Sequence, residues 1–306
     1  MSTRLRQLIF IVVLTLSVVG LSWILLYSSG YSINWLTWTV QPTSNIRLAV
    51  EPNEGSYILL LPNGLSSNDG TASFTHLAPG DYHLHIEAPD YLPVNLSVTT
   101  KANSTLVFEP LRLWPDVPIH PTTTGLAPAA EPIVPADLPI AFQAALAQLS
   151  SDSDQNQFIV GTNQVVVLDA VTQQATLLSQ LGGVMTSRLL DNDTRQLVDI
   201  GQPDQIALLS DFSISLVSLS TDQFTTLIRV STPIIAAVWI SETPYIAYAD
   251  AHSLHILDSR SQTNYSDQVV ATLAATITAV EYNSDLDSIV ISTTAETLLY
   301  PLTVDK

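Results

Sequence analysis

Apolar and polar positions follow different patterns along the chain, and each pattern predicts a different kind of element. Residues 8–27 are predominantly apolar and carry no charge. Residues 45–114, and the segment after about residue 140, consist of short runs in which apolar and polar positions alternate between turn-forming residues. A stretch of about twenty apolar residues is long enough for a helix that crosses one bilayer. Period-2 alternation is typical of half-buried strands, so we predict a mainly β protein with one N-terminal apolar helix.

Basic residues lie on only one side of the apolar run. Arg4 and Arg6 precede it, and the next basic residue is Arg47. Because positively charged flanks stay in the cytoplasm, we predict a cytoplasmic tail over residues 1–6 and a transmembrane signal anchor over residues 7–29. The rest of the chain is then expected on the extracytoplasmic side of the cell membrane, attached by a single pass.

Aromatic residues crowd the far end of the apolar run, where amphipathic rings prefer the headgroup layer. A cleaved signal peptide is the competing interpretation, since Ser28 and Gly30 are small residues suited to a cleavage site. The run is longer than the roughly 7–15 apolar residues of a signal peptide, which favours a retained anchor. The aromatic residues are Trp23, Tyr27, Tyr31, Trp35 and Trp38.

Six short runs of alternating apolar positions predict the strands of a first folded module over residues 44–114. Turn-forming residues separate them, for example at Pro79-Gly80 and at residues 101–103. About 70 residues in six strands suggest a small β-sandwich. The predicted strands are IRLAV, SYILLL, SFTHL, YHLHIE, VNLSVTT and TLVFEPLRL.

Two motifs in this module resemble the PEGA domain, a small β-sandwich of bacterial and archaeal envelope proteins. They are PNEGS at residues 52–56 and LAPGDY at residues 77–82, each of which leads into a strand. In that family a Gly-Tyr pair follows the second motif, and here Asp90 replaces the glycine before Tyr91. The resemblance implies adhesion or scaffolding and no catalytic residue. Transthyretin-like and carboxypeptidase-regulatory-like sandwiches share such patterns and are alternatives.

Closely spaced prolines predict a linker over residues 115–139. Frequent proline without periodic apolar residues favours an extended polyproline conformation. A semi-rigid stalk is one interpretation of this segment, and a disordered joint is the other. The prolines are at positions 115, 118, 121, 128, 132, 135 and 139.

A block of three strands separated by polar turns recurs in residues 140–306 and is the basis of the fold prediction. Aligned copies begin at Phe158, Gln205, Tyr245 and Ser288. Their separations of about 40–47 residues lie in the range of β-propeller blades. We therefore predict about four propeller-like β repeats, either closed into a ring or open as an incomplete fan.

The third copy, residues 236–261, resembles a WD-repeat-type blade in its order of strands and turns. It lacks the Trp-Asp and Gly-His pairs of that family, so the resemblance implies a degenerate propeller-like module. The last copy ends without an obvious outer strand. We expect this strand to come from residues 140–149, or the open edge to be covered by self-association with another molecule. If the stretch AFQAALAQL is helical instead, this closing strand is lost.

The charge balance is strongly acidic, with 28 acidic and 10 basic residues among 306. Such a surface repels phosphate backbones, so we expect no nucleic-acid partner and favour cationic partners. Cysteine is absent, which excludes disulfides, thiolate metal sites and cysteine nucleophiles.

Two groups of side chains have the spacing of metal ligands. His83 and His85 are two apart on a predicted strand and point to the same face, and His76 lies nearby in the sequence. Two aspartate pairs have the spacing of calcium-loop ligands, although neither has the glycine and glutamate of an EF-hand. Solvated histidines and turn-forming aspartates explain both groups, so we assign no metal. The aspartates are Asp152, Asp154, Asp191 and Asp193.

The sequence contains no motif for a catalytic nucleophile, a phosphate-binding loop or a zinc protease. We therefore predict no catalytic, cofactor-binding or metal-binding residue, no cofactor and no enzyme activity. The expected function is that of an extracytoplasmic binding or scaffold protein that contacts envelope proteins or cell-wall glycans. The alternatives are a membrane-tethered hydrolase or lyase with a carboxylate site on the propeller-like module, and the extracytoplasmic partner of a sensor.

Overall fold

The computed structural model describes most of the chain as one helix followed by β-strands. The strands are almost all antiparallel, which confirms the prediction of a mainly β protein with an apolar N-terminal helix. Two compact units are formed, Met1–Leu113 and Trp114–Lys306. The described residues are 3–34, 38–51, 58–60, 71–108, 110–122, 140, 142–143, 156–160, 164–181, 184–202, 204–221, 223–260 and 267–303.

Helix α1 spans Thr3–Ser28 and contains the apolar run. Its apolar side chains are largely exposed, so the helix does not belong to the core of the first unit. The segment Ile9–Ser28 is long and apolar enough to cross a membrane, a property that N-terminal signal sequences share. Gly30 follows the helix with a φ of 81°, in the left-handed region that glycine adopts without strain at helix ends.

The end of α1 is held against the strands of the first unit by stacking and hydrogen bonds. The Tyr27 ring stacks on the His76 imidazole, with 3.7 Å between the ring centroids and 10° between the planes. The backbone N–H of His76 donates to Oδ1 of Asn45 (3.1 Å). The N–H and the hydroxyl of Thr43 each donate to the carbonyl of Gly30 at 2.8 Å. These contacts fix the helix end to the unit.

The described strands of the first unit are β1 (Tyr31–Asn34), β2 (Thr39–Pro42), β3 (Ser44–Glu51), β4 (Ile58–Leu60), β5 (Thr71–Leu77), β6 (Gly80–Glu87), β7 (Val94–Thr100), β8 (Thr105–Val107) and β9 (Leu111–Arg112). β1 and β2 form a hairpin. In one sheet β3 lies between β5 and β8 and also pairs with β9, and in the other β6 lies between β4 and β7.

Each of these two sheets buries one face. Along β3, Ile46, Leu48 and Val50 are buried, while the residues between them are more exposed. β7 shows the same strict alternation. Because side chains on a strand point alternately to opposite faces, the buried faces pack together as a β-sandwich, as the alternating sequence predicts.

Asp90, the position at which the chain departs from the PEGA pattern, lies in a turn after β6. Its φ is 65°, in the left-handed region. Aspartate tolerates this backbone conformation better than most residues. The N–H of Tyr91 closes the turn by donating to the carbonyl of Ala88 (3.3 Å). The other motif, residues 52–56, lies outside the described residues.

The described strands of the second unit are β10 (His120–Pro121), β11 (Gln157–Val160), β12 (Gln164–Asp169), β13 (Gln174–Leu181), β14 (Val184–Asp191), β15 (Gln196–Asp199), β16 (Gln205–Leu209), β17 (Ser213–Ser218), β18 (Phe224–Arg229), β19 (Ala236–Trp239), β20 (Tyr245–Ala249), β21 (Ser253–Asp258), β22 (Asp267–Thr272), β23 (Ile277–Asn283), β24 (Ser288–Thr293) and β25 (Thr297–Pro301). They form four antiparallel sheets of four strands each. The sheets are β11 to β14, β15 to β18, β19 to β22, and β23 to β25 with β10. This is the strand order of consecutive propeller blades.

The strand of the first sheet that is equivalent to β16, β20 and β24 begins at Gln164, so the predicted alignment of Phe158 with their starts is wrong. Phe158 lies in β11, the first strand of its sheet, whereas Gln205, Tyr245 and Ser288 each begin a second strand. β12, which begins at Gln164, is the equivalent second strand of the first sheet. The alignment was displaced because the run FIVGTNQVVVLD contains two strands. With the corrected start, second strands recur about every 40 residues.

The outer strand of the fourth sheet comes from the proline-rich segment. β10 pairs antiparallel with β25. Nearby, the hydroxyl of Tyr300 donates to the carbonyl of Pro115 (2.8 Å). The prediction that residues 140–149 supply this strand is wrong, because the three residues described there are helical. Proline is tolerated at a sheet edge, where its missing N–H breaks no ladder, so the segment predicted as a linker can begin with a strand.

Successive sheets of the second unit pack face to face in chain order. Both faces of β12 are buried: Val166 packs against the second sheet, and Val167 packs with Phe142. The second and third sheets share a larger core that includes Trp239 and Tyr248. The first strands contact each other in the order β11, β15, β19 and β23, and the described residues show no comparable contact between β23 and β11. The described residues therefore form an arc of four sheets.

Glutamine side chains join the first strands of neighbouring sheets. Oε1 of Gln157 accepts a hydrogen bond from the N–H of Leu197 (2.9 Å). One sheet further on, Nε2 of Gln196 donates to the carbonyl of Ala237 (3.0 Å), and its Oε1 accepts from the N–H of the same residue (3.4 Å). These strands belong to different sheets and do not pair with each other. The glutamine amides therefore bond backbone groups that would otherwise have no partner in a strand ladder.

We expect Gln196→Ala to lower the free energy of unfolding by about 1–2 kcal/mol, because it leaves two partly buried backbone groups of Ala237 unpaired. Gln174→Ala, at an exposed position in the first sheet, is the matched control and should cost less than about 0.5 kcal/mol. Denaturant unfolding of the full chain in detergent measures both. Equal losses in the two variants would contradict the role of the glutamine bridge.

Candidate ligand-binding cleft

The three histidines considered as metal ligands do not come together. Nδ1 of His83 lies 3.0 Å from the Ser97 hydroxyl, and Nδ1 of His85 lies 2.7 Å from Oδ1 of Asn95, both on the outer face of the sandwich. His76 lies on the other sheet, stacked against the end of α1. Among the described residues, no group of three potential metal ligands is present.

The aspartates with calcium-loop spacing form a turn where they are described. Oδ1 of Asp191 accepts a hydrogen bond from the N–H of Asn192 (2.8 Å), and Oδ2 accepts from the hydroxyl of Thr194 (2.9 Å). Thr194 is fully buried, so this carboxylate anchors the turn to the core. Asp152 and Asp154 lie outside the described residues.

A cleft of about 730 Å³ lies between the second and third sheets, at the end where first strands turn into second strands. A smaller cavity of about 410 Å³ adjoins it and shares Gln202, Pro244 and Arg260 with it. The main residues that line the larger cavity are Asp199, Ile200, Gln202, Trp239, Glu242 and Arg260.

Tight turns hold the wall of the cleft. Between β19 and β20, the hydroxyl of Thr243 donates to the carbonyl of Ile240 (2.7 Å), and Glu242 adopts a φ of 60°. Between β15 and β16, Oδ1 of Asp199 accepts a hydrogen bond from the N–H of Gly201 (2.8 Å). Because each turn is closed by its own side chain, the cleft is largely formed before any ligand arrives.

Arg260 is the cation of the cleft, and its charge is already compensated. Its Nε and Nη2 donate to the two carboxylate oxygens of Asp258 at 3.0 and 2.8 Å. Nη2 also donates to the hydroxyl of Tyr245 (3.3 Å), and the guanidinium lies 5.6 Å from the centroid of that ring. A guanidinium held in this way by a carboxylate and an aromatic ring offers little attraction to an anion.

Three glutamine amides add polar groups to the cleft. The side chains of Gln202, Gln205 and Gln223 line the two cavities and form no hydrogen bond with another described residue. They differ in this respect from Gln157 and Gln196, whose amides bond the neighbouring sheet. Each free amide offers both a donor and an acceptor to a ligand.

Sequence analysis missed these residues because they come from separate turns. The only local signal was the Asp258-Ser259-Arg260 run directly after a predicted strand, in a chain where basic residues are scarce. Nothing in the sequence indicates that this run faces Gln202 and Glu242 from other turns.

A second polar cluster lies within the third sheet. The rings of Tyr248 and His255 stack with 4.5 Å between centroids, and the Tyr248 hydroxyl lies 3.1 Å from Nδ1 of His255. Oδ1 of Asp267 lies 3.3 Å from the same nitrogen, and Oδ2 of Asp250 lies 3.8 Å from Nε2. Burial, and then the charges of Asp267 and Asp250, raise the pKa of the Tyr248 hydroxyl well above its ordinary value. The phenol therefore stays protonated.

Asp250 is held in its charged form within this cluster. Burial by itself raises the pKa of its carboxyl. The N–H groups of His252 and Ser253 donate to Oδ1 at 2.9 and 2.7 Å, and His255 lies nearby. Together these groups outweigh burial, so the pKa of Asp250 lies below its ordinary value. The turn between β20 and β21 is thus tied to the ionised carboxylate.

No family model matches this chain, and no curated protein matches it. The extracellular domain of the hybrid two-component system BT4673 from B. thetaiotaomicron is 9% identical, with a TM-score of 0.40 over 90% of this chain and 31% of that one. The C-terminal WD40 domain of Sif2 is 14% identical, with a TM-score of 0.34 over 49% of this chain and 46% of that one. This chain thus spans less than half of either. The assignment of propeller-like sheets rests on their topology, and the resemblance to the PEGA domain stays a prediction.

We expect Asp250→Asn to be destabilising at neutral pH and to approach the wild type in acid. The asparagine keeps an oxygen for the turn but loses the charge. Folding lowers the pKa of Asp250 below its unfolded value of about 3.8. The charged carboxylate therefore stabilises the fold above about pH 3.8. This stabilisation is lost as the pH falls through the folded pKa. Unfolding of both proteins between pH 7 and pH 3 measures the difference.

Asp285→Asn, at an exposed turn of the fourth sheet, serves as the control for this pH series. It is expected to change the stability by less than about 0.5 kcal/mol at each pH. A difference between Asp250→Asn and the wild type that is constant with pH would contradict the electrostatic role of Asp250.

Proposed function

We propose that this chain is a single-pass membrane protein of the cell envelope that binds an envelope protein or a cell-wall glycan in the cleft between its second and third sheets. Both β units lie on the extracytoplasmic side in this proposal, and the N-terminus lies in the cytoplasm. The protein acts by binding and carries out no reaction.

The anchor is supported by the surface of α1. Side chains such as Phe10, Leu16 and Leu25 are each more than half exposed, although the helix is strongly apolar. Exposing this much apolar surface to water is unfavourable, whereas a bilayer accommodates it. Arg4 and Arg6 lie at the N-terminal end of the helix, ahead of its apolar run, and favour a cytoplasmic N-terminus.

The cleft is the observation on which the binding function depends. It is concave and formed by closed turns, and apolar Ile200 and Pro244 lie beside its polar side chains. Among these, the Gln202 amide forms no hydrogen bond with another described residue. Ligand sites generally combine a largely preformed apolar surface with a few polar groups that orient the ligand.

A hydrolase is the second candidate, because Asp199 and Glu242 line the same cavity. Glycosidases use two carboxyl groups on either side of the scissile bond. Binding is preferred, since the carboxylate of Asp199 already closes its own turn through Gly201. Cleavage of a bound ligand that is lost in Glu242→Gln would favour the hydrolase.

The absence of cysteine allows a direct test of the topology. Single cysteines are introduced by Ser2→Cys and, in an exposed loop of the second unit, by Thr221→Cys. We expect a membrane-impermeant maleimide to label only Thr221→Cys in intact cells, and both variants after lysis. Both should remain in the membrane fraction after alkaline extraction. Labelling of Ser2→Cys alone in intact cells would reverse the proposed orientation, and release of the protein would exclude the anchor.

Filling the cleft tests the binding function without assuming a class of ligand. Ser241 is an exposed lining residue, so Ser241→Trp should reduce retention of the full chain on immobilised cell-wall glycan or envelope protein by at least about tenfold. Ser231→Trp, in an exposed loop outside the cleft lining, is the matched control and should bind as the wild type does. Equal retention of all three proteins would place the binding surface elsewhere.

A further inference from the structure

The electrostatics of the cleft disfavour anions. Asp258 compensates the charge of Arg260 through two hydrogen bonds. The carboxylates of Asp199 and Glu242 also line the cleft, and neither forms an ion pair with a described residue. The chain as a whole has a formal charge of −18. Phosphorylated or uronic-acid ligands would therefore be repelled both at long range and at the site.

The hydrogen-bonding groups of the cleft match hydroxyl groups. A hydroxyl both donates and accepts, and so does each amide of Gln202, Gln205 and Gln223. The carboxylates of Asp199 and Glu242 add acceptors for further hydroxyl protons. A ligand with many neutral hydroxyls can satisfy this mixed set of groups, whereas an aliphatic ligand would leave them desolvated and unpaired.

Apolar side chains lie beside these groups in both cavities. Ile200, Trp239 and Pro244 line the larger cavity, and Leu216 and Leu227 line the smaller one. The C–H faces of a sugar ring can pack on such side chains while the hydroxyl groups at the ring edge reach the amides.

The combined size of the two cavities fits more than one sugar ring. The cavities, of about 730 and 410 Å³, share Gln202, Pro244 and Arg260 and therefore adjoin each other. A peptide that binds by strand addition would bond the backbone groups of a sheet edge. Here the lining consists of side chains from turns and from one face of the second sheet.

We propose that the cleft binds an uncharged oligosaccharide that spans both cavities. The inference rests on the binding function proposed above and specifies its class of ligand. Gln202, at the junction of the cavities, would bond sugar hydroxyls in both. Asp258 would act as the selectivity residue, because it keeps Arg260 from attracting acidic sugars.

Calorimetric titration of the full chain in lipid nanodiscs tests this class. The probes are three neutral tetrasaccharides (cellotetraose, chitotetraose and maltotetraose), anionic tetragalacturonate, the cationic tetramer of glucosamine, and tetralysine. We expect at least one neutral probe to bind and the anionic probe not to bind. Gln202→Ala should weaken the neutral complex about threefold to tenfold, and Gln174→Ala should leave it unchanged.

Asp258→Asn tests the selectivity directly. The asparagine oxygen still accepts the N–H of Arg260, which donates to Oδ1 of Asp258 at 2.9 Å, but the guanidinium is no longer neutralised. We expect the variant to gain measurable affinity for tetragalacturonate while it still binds the neutral probe. Folding of each variant is checked by its thermal unfolding. Asp285→Asn, at an exposed turn outside both cavity linings, is the matched control that removes one carboxylate elsewhere.

The outcomes separate this inference from the proposed function. Binding of tetralysine or of the glucosamine tetramer, but of no neutral tetrasaccharide, would overturn the inference in favour of a cationic ligand. So would binding of tetragalacturonate by the wild type. If no probe binds while Ser241→Trp still abolishes retention on envelope protein, the ligand is not an oligosaccharide, but the cleft remains the binding site. If Ser241→Trp changes neither retention nor probe binding, the proposed function itself fails.

Discussion

The second unit depends on one constraint, which is that its sheets are apolar on both faces and must be covered on both. β12 shows this directly, since four successive side chains from Val165 to Leu168 are buried. β16, β20 and β24 are buried in the same way. A single sheet of this kind would expose one apolar face, so its stability requires a neighbour. The face-to-face stack of four sheets satisfies this requirement for the inner sheets, and Phe142 contributes to covering the free face of the first.

Stacking by apolar faces leaves a second requirement, which concerns the backbone. Strands of different sheets do not form ladders with one another, so their polar groups need other partners. Gln157 and Gln196 supply such partners between first strands, and Arg195 donates to the carbonyls of Ile234 and Ile235 in the connection that follows. Polar side chains thus bridge the first sheet to the second and the second to the third, while apolar contacts supply most of the stabilisation.

The cleft follows from the same geometry. Two packed sheets contact closely through their cores, and their turns project beyond the strand ends, so a concave space remains between successive turns. In the second and third sheets these turns carry side chains that the stack does not use, among them Gln202 and Glu242. Arg260 lines this space and is paired with Asp258. The cleft is therefore polar without being cationic.

The first unit combines local and distant contacts at its helix. The apolar side chains of α1 make the helix suited to a bilayer, but its last turn is positioned by Tyr27 against His76, a residue from a separate strand. His76 has a φ of 59°, which is uncommon for a residue with a side chain, and its N–H is held by Asn45. Such a backbone conformation persists where surrounding contacts determine it. The helix terminus and the sandwich are therefore one structural element.

The spacing of apolar residues within short segments was enough to predict the apolar helix, the half-buried strands of the sandwich and the recurrence of strands in the second unit. The first repeat was aligned one strand too early, because β11 and β12 are adjacent strands of similar composition. That β10 completes the fourth sheet follows only from the folded structure. A strand of two residues has no periodicity of its own, and its partner β25 lies at the other end of the unit. The cleft is also a tertiary property, because Asp199, Glu242 and Arg260 belong to three different turns, and only sheet stacking brings them to one surface.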